Sequence, residues 1–296
     1  MSLKHKAASL LRTFGQLWGI HTVLSYRPIR RTIQKWPLFQ RLYGSGWDLL
    51  HPFDRLLGTD TSGYVAPEKL LSTHHKPQHY NSRHYNSQEI HGYAGSQPSI
   101  IRSALAALPP LESYSFVDLG CGKGRPLLVA SEFPFRELIG VELSPGLAET
   151  AKKNTAILAK QFPERTSIHI EVCEASAYPF PAGNLVVFLY HPFGEELTAK
   201  IVARIESALA AEKRSVFVVY YNPVCGGCFD ASPVLTRYFA ASLPYATEER
   251  GYGPDAHDNV VIWQAGGAAP ARAGADAQIE ITNPGMRAEL VLPRSS

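Results

Sequence analysis

The segment Phe116-Val117-Asp118-Leu119-Gly120-Cys121-Gly122-Lys123-Gly124-Arg125 constrains this chain more than any other. An apolar run of strand character enters a turn with glycine at every second position, and a helical pattern follows at Arg125–Ser131. A strand that feeds a glycine-rich turn and then a helix places a ligand at the carboxyl end of that strand. Glycine is needed there because a side chain would block the approach of a nucleotide-sized group. The same rhythm continues downstream. Short apolar runs at Ser115–Leu119, Leu138–Leu143, Ser167–Val172, Leu185–Tyr190 and Ser215–Tyr221 are separated by helical patterns near Gly146–Lys160 and Glu195–Ala211. This alternation predicts βα units of a parallel sheet. The nearly continuous Leu185-Val186-Val187-Phe188-Leu189 suits a strand covered on both faces. A helix at Ser99–Leu108, stopped by Pro109-Pro110, is expected before the first strand. A helix near Val234–Leu243 and a strand at Asn259–Trp263 are expected to complete the sheet.

The glycine spacing discriminates between ligands. A dinucleotide fingerprint G-x-G-x-x-G would put its third glycine at position 125, where the chain has Arg125. The glycines fall instead at 120, 122 and 124, which disfavours a nicotinamide-dependent oxidoreductase. Preceded by Asp118, this G-x-G-x-G turn resembles the first motif of class I S-adenosylmethionine-dependent methyltransferases. Glu142 ends the second strand in Ile139-Gly140-Val141-Glu142-Leu143-Ser144, where a carboxylate can accept hydrogen bonds from two ribose hydroxyls.

The resemblance implies an α/β fold, a Rossmann-like seven-stranded mostly parallel sheet flanked by helices, here with a helical N-terminal extension. It implies S-adenosylmethionine as cofactor, held around Asp118, Gly120, Cys121, Gly122, Gly124 and Glu142. Glu174, in Cys173-Glu174-Ala175 after the third strand, matches the acid that commonly holds the adenine amino group in that family. Tyr93, before the first core helix, is by the same analogy placed over the cofactor's amino-acid end. The fourth strand ends in Tyr190-His191-Pro192-Phe193. This is similar to the Asn/Asp-Pro-Pro-Phe/Tyr motif lining the acceptor site of amino-group methyltransferases, but with His191 replacing the amide or acid and with one proline. In a little-characterised bacterial family the matching stretch reads Asn-Pro-Phe. The likeness to that family takes in Asp60-Thr61-Ser62-Gly63-Tyr64 and Tyr220-Tyr221-Asn222-Pro223, so it covers roughly residues 55 to 240. A weaker likeness, confined to the first two motifs, links the chain to the non-SET histone-lysine methyltransferases.

Methyl transfer needs alignment and a route for a proton. His191 is a candidate general base, against the plainer role of closing the strand end by bonding backbone. Tyr190, Tyr221 and Asn222 are expected to line the same cleft, because strands four and five both end there. The acceptor is an unidentified protein amine or amide, or a small molecule. The departure at His191 keeps open an alternative, a catalytically inactive module that binds the cofactor for regulation.

Composition bounds the rest. Hydrophobic residues make up 45% and charged residues 19%, which is ordinary for a globular chain. No run of 18 apolar residues occurs, and the start has no secretory pattern. With four dispersed cysteines, this points to a reducing cytoplasm. Before Asp48 there are eight basic residues and no acidic one. That stretch therefore carries +8, while the whole chain has a formal net charge of +3. It reads as a solvated basic face interleaved with Leu10, Leu11, Leu17, Trp18 and Trp36, with an acidic partner or anionic membrane as the functional alternative. Helical patterns run over residues 5–24 and 28–43, and a polar, His- and Tyr-rich lid runs on to about Gly95. The domain boundaries expected are 1–95 for this extension and lid, 96–265 for the cofactor-binding domain, and 266–296 for a Gly/Ala/Pro-rich flexible linker and tail. No specific nucleic acid is expected as a partner, since Lys76 and Arg83 are the only basic residues near the clustered histidines. Neither those histidines nor Cys225-Gly226-Gly227-Cys228 has the ligand set of a metal site, and the latter reads as a tight turn. Oligomeric state is not legible.

Overall fold

The computed structural model describes residues 49–72, 91–253, 256–267, 270–283 and 286–290. The expected N-terminal helices and His74, His75, His79 and His84 lie outside the described residues.

The apolar runs pair as the sequence predicts. Strands β3 (Tyr114–Leu119), β4 (Glu137–Glu142), β5 (Ile168–Val172), β6 (Asn184–Tyr190), β7 (Val216–Tyr221), β8 (Thr236–Pro244) and β9 (His257–Ala265) form one sheet in the order β5-β4-β3-β6-β7-β9-β8. β5, β4, β3, β6 and β7 run parallel, and β9 is antiparallel to both β7 and β8. Because β4 and β5 lie on one side of β3 while β6 and β7 lie on the other, the direction of winding reverses beside β3. A crevice at the carboxyl ends of β3 and β6 follows from that reversal.

All six residues of β3 are buried. Phe116 joins a core shared with Ile100, Leu127, Leu128 and Phe188, whereas its neighbour Val117 joins Val187, Leu197, Ile201 and Trp263. Successive side chains of a strand point to opposite faces, so both faces of the sheet are covered. Helices α3 (Pro98–Ala106), α4 (Arg125–Ala130) and α5 (Pro145–Gln161) contribute to the first layer, and α6 (Glu195–Ala211) to the second. Ahead of them come α1 (Pro52–Leu57), β1 (Tyr64–Val65), α2 (Pro67–Ser72) and β2 (Tyr93–Ala94). β1 and β2 pair antiparallel, Val65 opposite Tyr93, so the ends of the polar stretch read as a lid meet each other.

One expected element is corrected. Residues 234–243 do not form a helix; Thr236–Pro244 is the edge strand β8. Its backbone pairs with β9 across a bulge between Arg237 and Phe239. There Arg237 turns inward onto Asp230, which also accepts a 2.8 Å hydrogen bond from Trp263 Nε1. Tertiary pairing decides the conformation of a segment whose alanine and leucine content fits either form. Further on, residues of the expected linker hold fixed contacts. Arg272 donates from its backbone to Tyr238 O (2.8 Å) and from its guanidinium to Ala107 O (2.6 Å), and Ala275 is buried. A hairpin of β10 (Ile279–Asn283) and β11 (Met286–Leu290) follows.

Candidate cofactor and acceptor cleft

The glycine turn sits between the ends of β3 and β4. The amides of Gly120 and Cys121 both donate to Val141 O, at 2.8 and 3.0 Å, and Gly124 N closes the turn on Cys121 O at 2.8 Å. Gly120, Gly122 and Gly124 all have positive φ, the left-handed region that favours glycine. At Gly122 there is a second reason: a Cβ would lie 2.3 Å from the ring of Tyr93. Tyr93 is thereby laid over the turn, with its hydroxyl donating to Thr61 O at 2.6 Å.

Two carboxylates face this turn from below. Glu142 accepts from Gly122 N (2.8 Å, Oε2) and from Ser144 N (2.7 Å, Oε1). The backbone of Leu143 also bonds this carboxylate, which keeps lone-pair capacity for a hydroxyl donor. Asp118 is buried, and its Oδ2 has no hydrogen-bond partner among the described residues. Burial, and then the neighbouring Glu142 charge, push the Asp118 carboxyl well above its usual range. Burial also raises Glu142, against the backbone amides that favour its charged form. Cys121 contributes its backbone. Its thiol is buried against Gly140 in the core, and that burial pushes its pKa well up. Glu174 lies past the end of β5, two strands from the turn, where its carboxylate accepts from Ser176.

The acceptor-side residues occupy the ends of β6 and β7. His191 (φ 39°) and Asn222 (φ 54°) are the non-glycine residues of the described chain with left-handed backbones, each one step past its strand. Strain of this kind concentrates at functional sites. The His191 ring stacks on His91 with centroids 4.2 Å apart, and its Nδ1 lies 3.5 Å from the Tyr220 hydroxyl. Burial, with a smaller contribution from His91, lowers its pKa to about 3. Pro192 covers Gly120, whose added Cβ would lie 2.8 Å from the proline Cβ, and Pro192 O accepts from His91 N at 3.2 Å. Tyr190 packs its ring 4.4 Å from that of Tyr221. Tyr221 is fully buried and gives its hydroxyl to Asp258 (2.6 Å). Asn222 is fixed through its amide to Asn259 O at 2.7 Å.

Sequence reasoning missed the clamp behind the turn. Arg125, 2% exposed, pairs with the equally buried Asp54 at 3.3 Å. It also donates to Thr61 Oγ1 (2.7 Å), Thr61 O (2.9 Å) and Ser96 O (2.9 Å). Asp54 in turn accepts from Thr59 and from the amide and hydroxyl of Thr61. Lys123 reaches Asp60 (2.8 Å) and Ser62 O (2.7 Å), while Asn154 bridges Asp60 O and Lys123 O. One local signal existed. Arg125 opens helix α4, where the dipole disfavours a cation, so a counter-charge from elsewhere was required.

Residues 117–210 match the family model described as a methyltransferase domain. Among solved structures, the YcgJ protein from Bacillus subtilis shares 14% identity over 56% of this chain and 94% of its own, with a TM-score of 0.37. A candidate class I S-adenosylmethionine-dependent methyltransferase from Listeria monocytogenes shares 15% over 60% and 62%, with a TM-score of 0.42. The 23S rRNA methyltransferase ErmE shares 16% over 61% and 72%, with a TM-score of 0.40. No curated protein matches the chain. The stretch that is similar to a methyltransferase domain, residues 117–210, takes in the glycine turn, Glu142 and the start of the acceptor edge.

Proposed function

We propose that this protein transfers a methyl group from S-adenosylmethionine to an unidentified acceptor, an amine or amide of a protein or a small molecule, bound at the ends of β6 and β7. The observation that carries this is the cradle itself: a three-glycine left-handed turn beside the Glu142 carboxylate, which the backbone orients, and Asp118, whose Oδ2 has no partner among the described residues. Those groups fit a polyhydroxylated nucleoside ligand. When bound, the cofactor supplies a methyl on a positively charged sulfur, open to displacement by the acceptor's lone pair.

In this reading Glu142 holds the ribose, the amides of the turn approach the amino-acid end under Tyr93, and Glu174 meets the adenine edge. Pro192 and the His91–His191 stack wall the acceptor side. With a pKa of about 3, His191 is a neutral imidazole near pH 7. It accepts a hydrogen bond that orients the acceptor's lone pair, and the proton leaves to solvent, because so weak a base does not retain it. Asn222 and Tyr190 complete that edge. The same depressed basicity favours a second reading, a cofactor-binding module without turnover. Incubation with methyl-labelled cofactor, cell extract and the full chain separates them. Label transferred by the wild type and reduced at least about tenfold in His191→Ala supports turnover. Retained cofactor binding with no labelled product in any fraction favours the module.

The basic stretch before Asp48 is proposed to meet an acidic partner or an anionic membrane surface. Removing residues 1–45 then weakens sedimentation with anionic vesicles, and unchanged sedimentation excludes the membrane. Among the described residues no helix is long and apolar enough to cross a membrane.

A further inference from the structure

The Cys225-Gly226-Gly227-Cys228 turn borders the acceptor edge, and methyl transfer as described above does not use it. Cys228 N donates to Cys225 O at 3.1 Å, closing a four-residue turn between the two cysteines. Such a turn brings its end Cα atoms within about 7 Å, and a disulfide spans roughly 4.4–6.8 Å between Cα atoms. Both residues are partly exposed, and the outer side of Gly227 is open, with nothing within 4 Å of where a Cβ would stand.

Cys225 Sγ donates to Phe193 O (3.8 Å) and Cys228 Sγ donates to Glu195 O (3.8 Å). Tyr220, whose hydroxyl faces His191 Nδ1, also hydrogen-bonds the backbone and thiol of Cys225. The turn is therefore tied, through S–H donors, to the segment that begins at His191 and Pro192 and leads into α6. A disulfide has no S–H. Closing it removes both donors at once.

We propose that Cys225 and Cys228 are a redox modification site, and that their disulfide releases residues 191–196 from the turn and loosens the acceptor edge. The co-reactant is a low-molecular-weight disulfide of the glutathione class. One protein thiolate attacks it, forming a mixed disulfide and expelling one thiol. The second protein thiolate then displaces the other, so two protein thiols become one disulfide and the co-reactant leaves as two thiols. Cys228 is the first attacker, since its hydrogen bond to Glu195 O is exposed whereas that of Cys225 to Phe193 O is part-buried. Burial and the adjacent Cys225 raise its pKa to about 11, so closure between pH 7 and 9 speeds up by about tenfold per pH unit. The effect on methyl transfer rests on the acceptor-edge reading of His191; the disulfide itself does not.

The test uses the full chain equilibrated in graded glutathione redox buffers, then quenched, unfolded and alkylated for mass analysis. Cys225 and Cys228 are expected to lose their alkylation together while Cys121 and Cys173 keep theirs. In the oxidised protein, amide hydrogen exchange over residues 191–196 is expected to quicken by about fivefold or more. A dithiol reductant restores it, and in Cys228→Ser or Cys225→Ser oxidation is expected to stop at the mixed disulfide, read as the added mass of one glutathione on the remaining cysteine. Thiols that survive the most oxidising buffer, or a disulfide that leaves exchange at 191–196 unchanged, overturn the proposal. Cofactor titration of the reduced protein is read separately: its failure counts against the methyltransferase reading and leaves the disulfide standing.

Discussion

Arg125 and Asp54 show at the level of single residues what holds the glycine turn in place. Both are almost wholly buried, and each is surrounded by hydrogen-bonding groups that the other's charge requires. Removing one partner leaves the other charge buried, at a cost of about 3–5 kcal/mol. Asp54→Asn and Arg125→Met are each expected to lower unfolding free energy by about that much in urea titration, and the double variant by less than the two together. Additive losses would show that the pair is not coupled. A second residue-level expectation concerns acid. His51 and His191 have pKa values lowered from 6.5 to about 4 and about 3, both chiefly by burial. Unfolded, each takes up a proton near pH 6.5; folded, each stays neutral. Their contribution to stability is thus complete above pH 6.5 and is lost as pH falls toward 4, at about 1.4 kcal/mol per pH unit for each group. Thermal melts from pH 8 to 4 test this: His51→Gln should flatten the acid limb, and an unchanged slope would remove His51 as its source.

At the scale of elements, the turn between β3 and α4 depends on what passes over it. Gly122→Ala meets both a left-handed backbone, about 1–2 kcal/mol, and the Tyr93 ring at 2.3 Å, about 1–3 kcal/mol of overpacking. It is expected to lower stability measurably and to weaken cofactor binding, with Tyr93→Ala in the same chain restoring part of the stability. If the double variant is no more stable than Gly122→Ala alone, the ring is not what excludes the side chain. This turn was legible in the sequence because everything it needs is local: glycines two apart, a strand before and a helix after. β8 was not. Its alternating burial appears only once β9 is beside it, and β9 is brought there from more than a dozen residues away. The acceptor edge was half legible. His191 and Asn222 could be placed at strand ends from the apolar runs, but the His91 stack and the inward turn of Tyr221 toward Asp258 depend on elements outside those strands.

For the whole molecule, the segment ahead of the sheet helps to hold the glycine turn. Asp54, Thr61 and Ser62 complete the surroundings of Arg125 and Lys123, and none of the three lies within residues 96–265. This dependence could not be read from the sequence, since 71 residues separate the two charges of the pair. A fragment of residues 96–265 is expected to lose about 3–5 kcal/mol or fail to fold, and to lose cofactor affinity, whereas a fragment beginning at residue 49 keeps both. Circular dichroism melts of the two fragments decide this, and equal stability would place the clamp outside what the sheet requires.

The most direct measurement is calorimetric titration of the purified full chain with S-adenosylmethionine and, separately, with its demethylated product. Saturable binding of both is expected, weakened at least about tenfold in Glu142→Ala. A folded protein that binds neither, or an E142A variant that binds both as tightly as the wild type, would contradict the assignment of the glycine turn and Glu142 as the cofactor cradle.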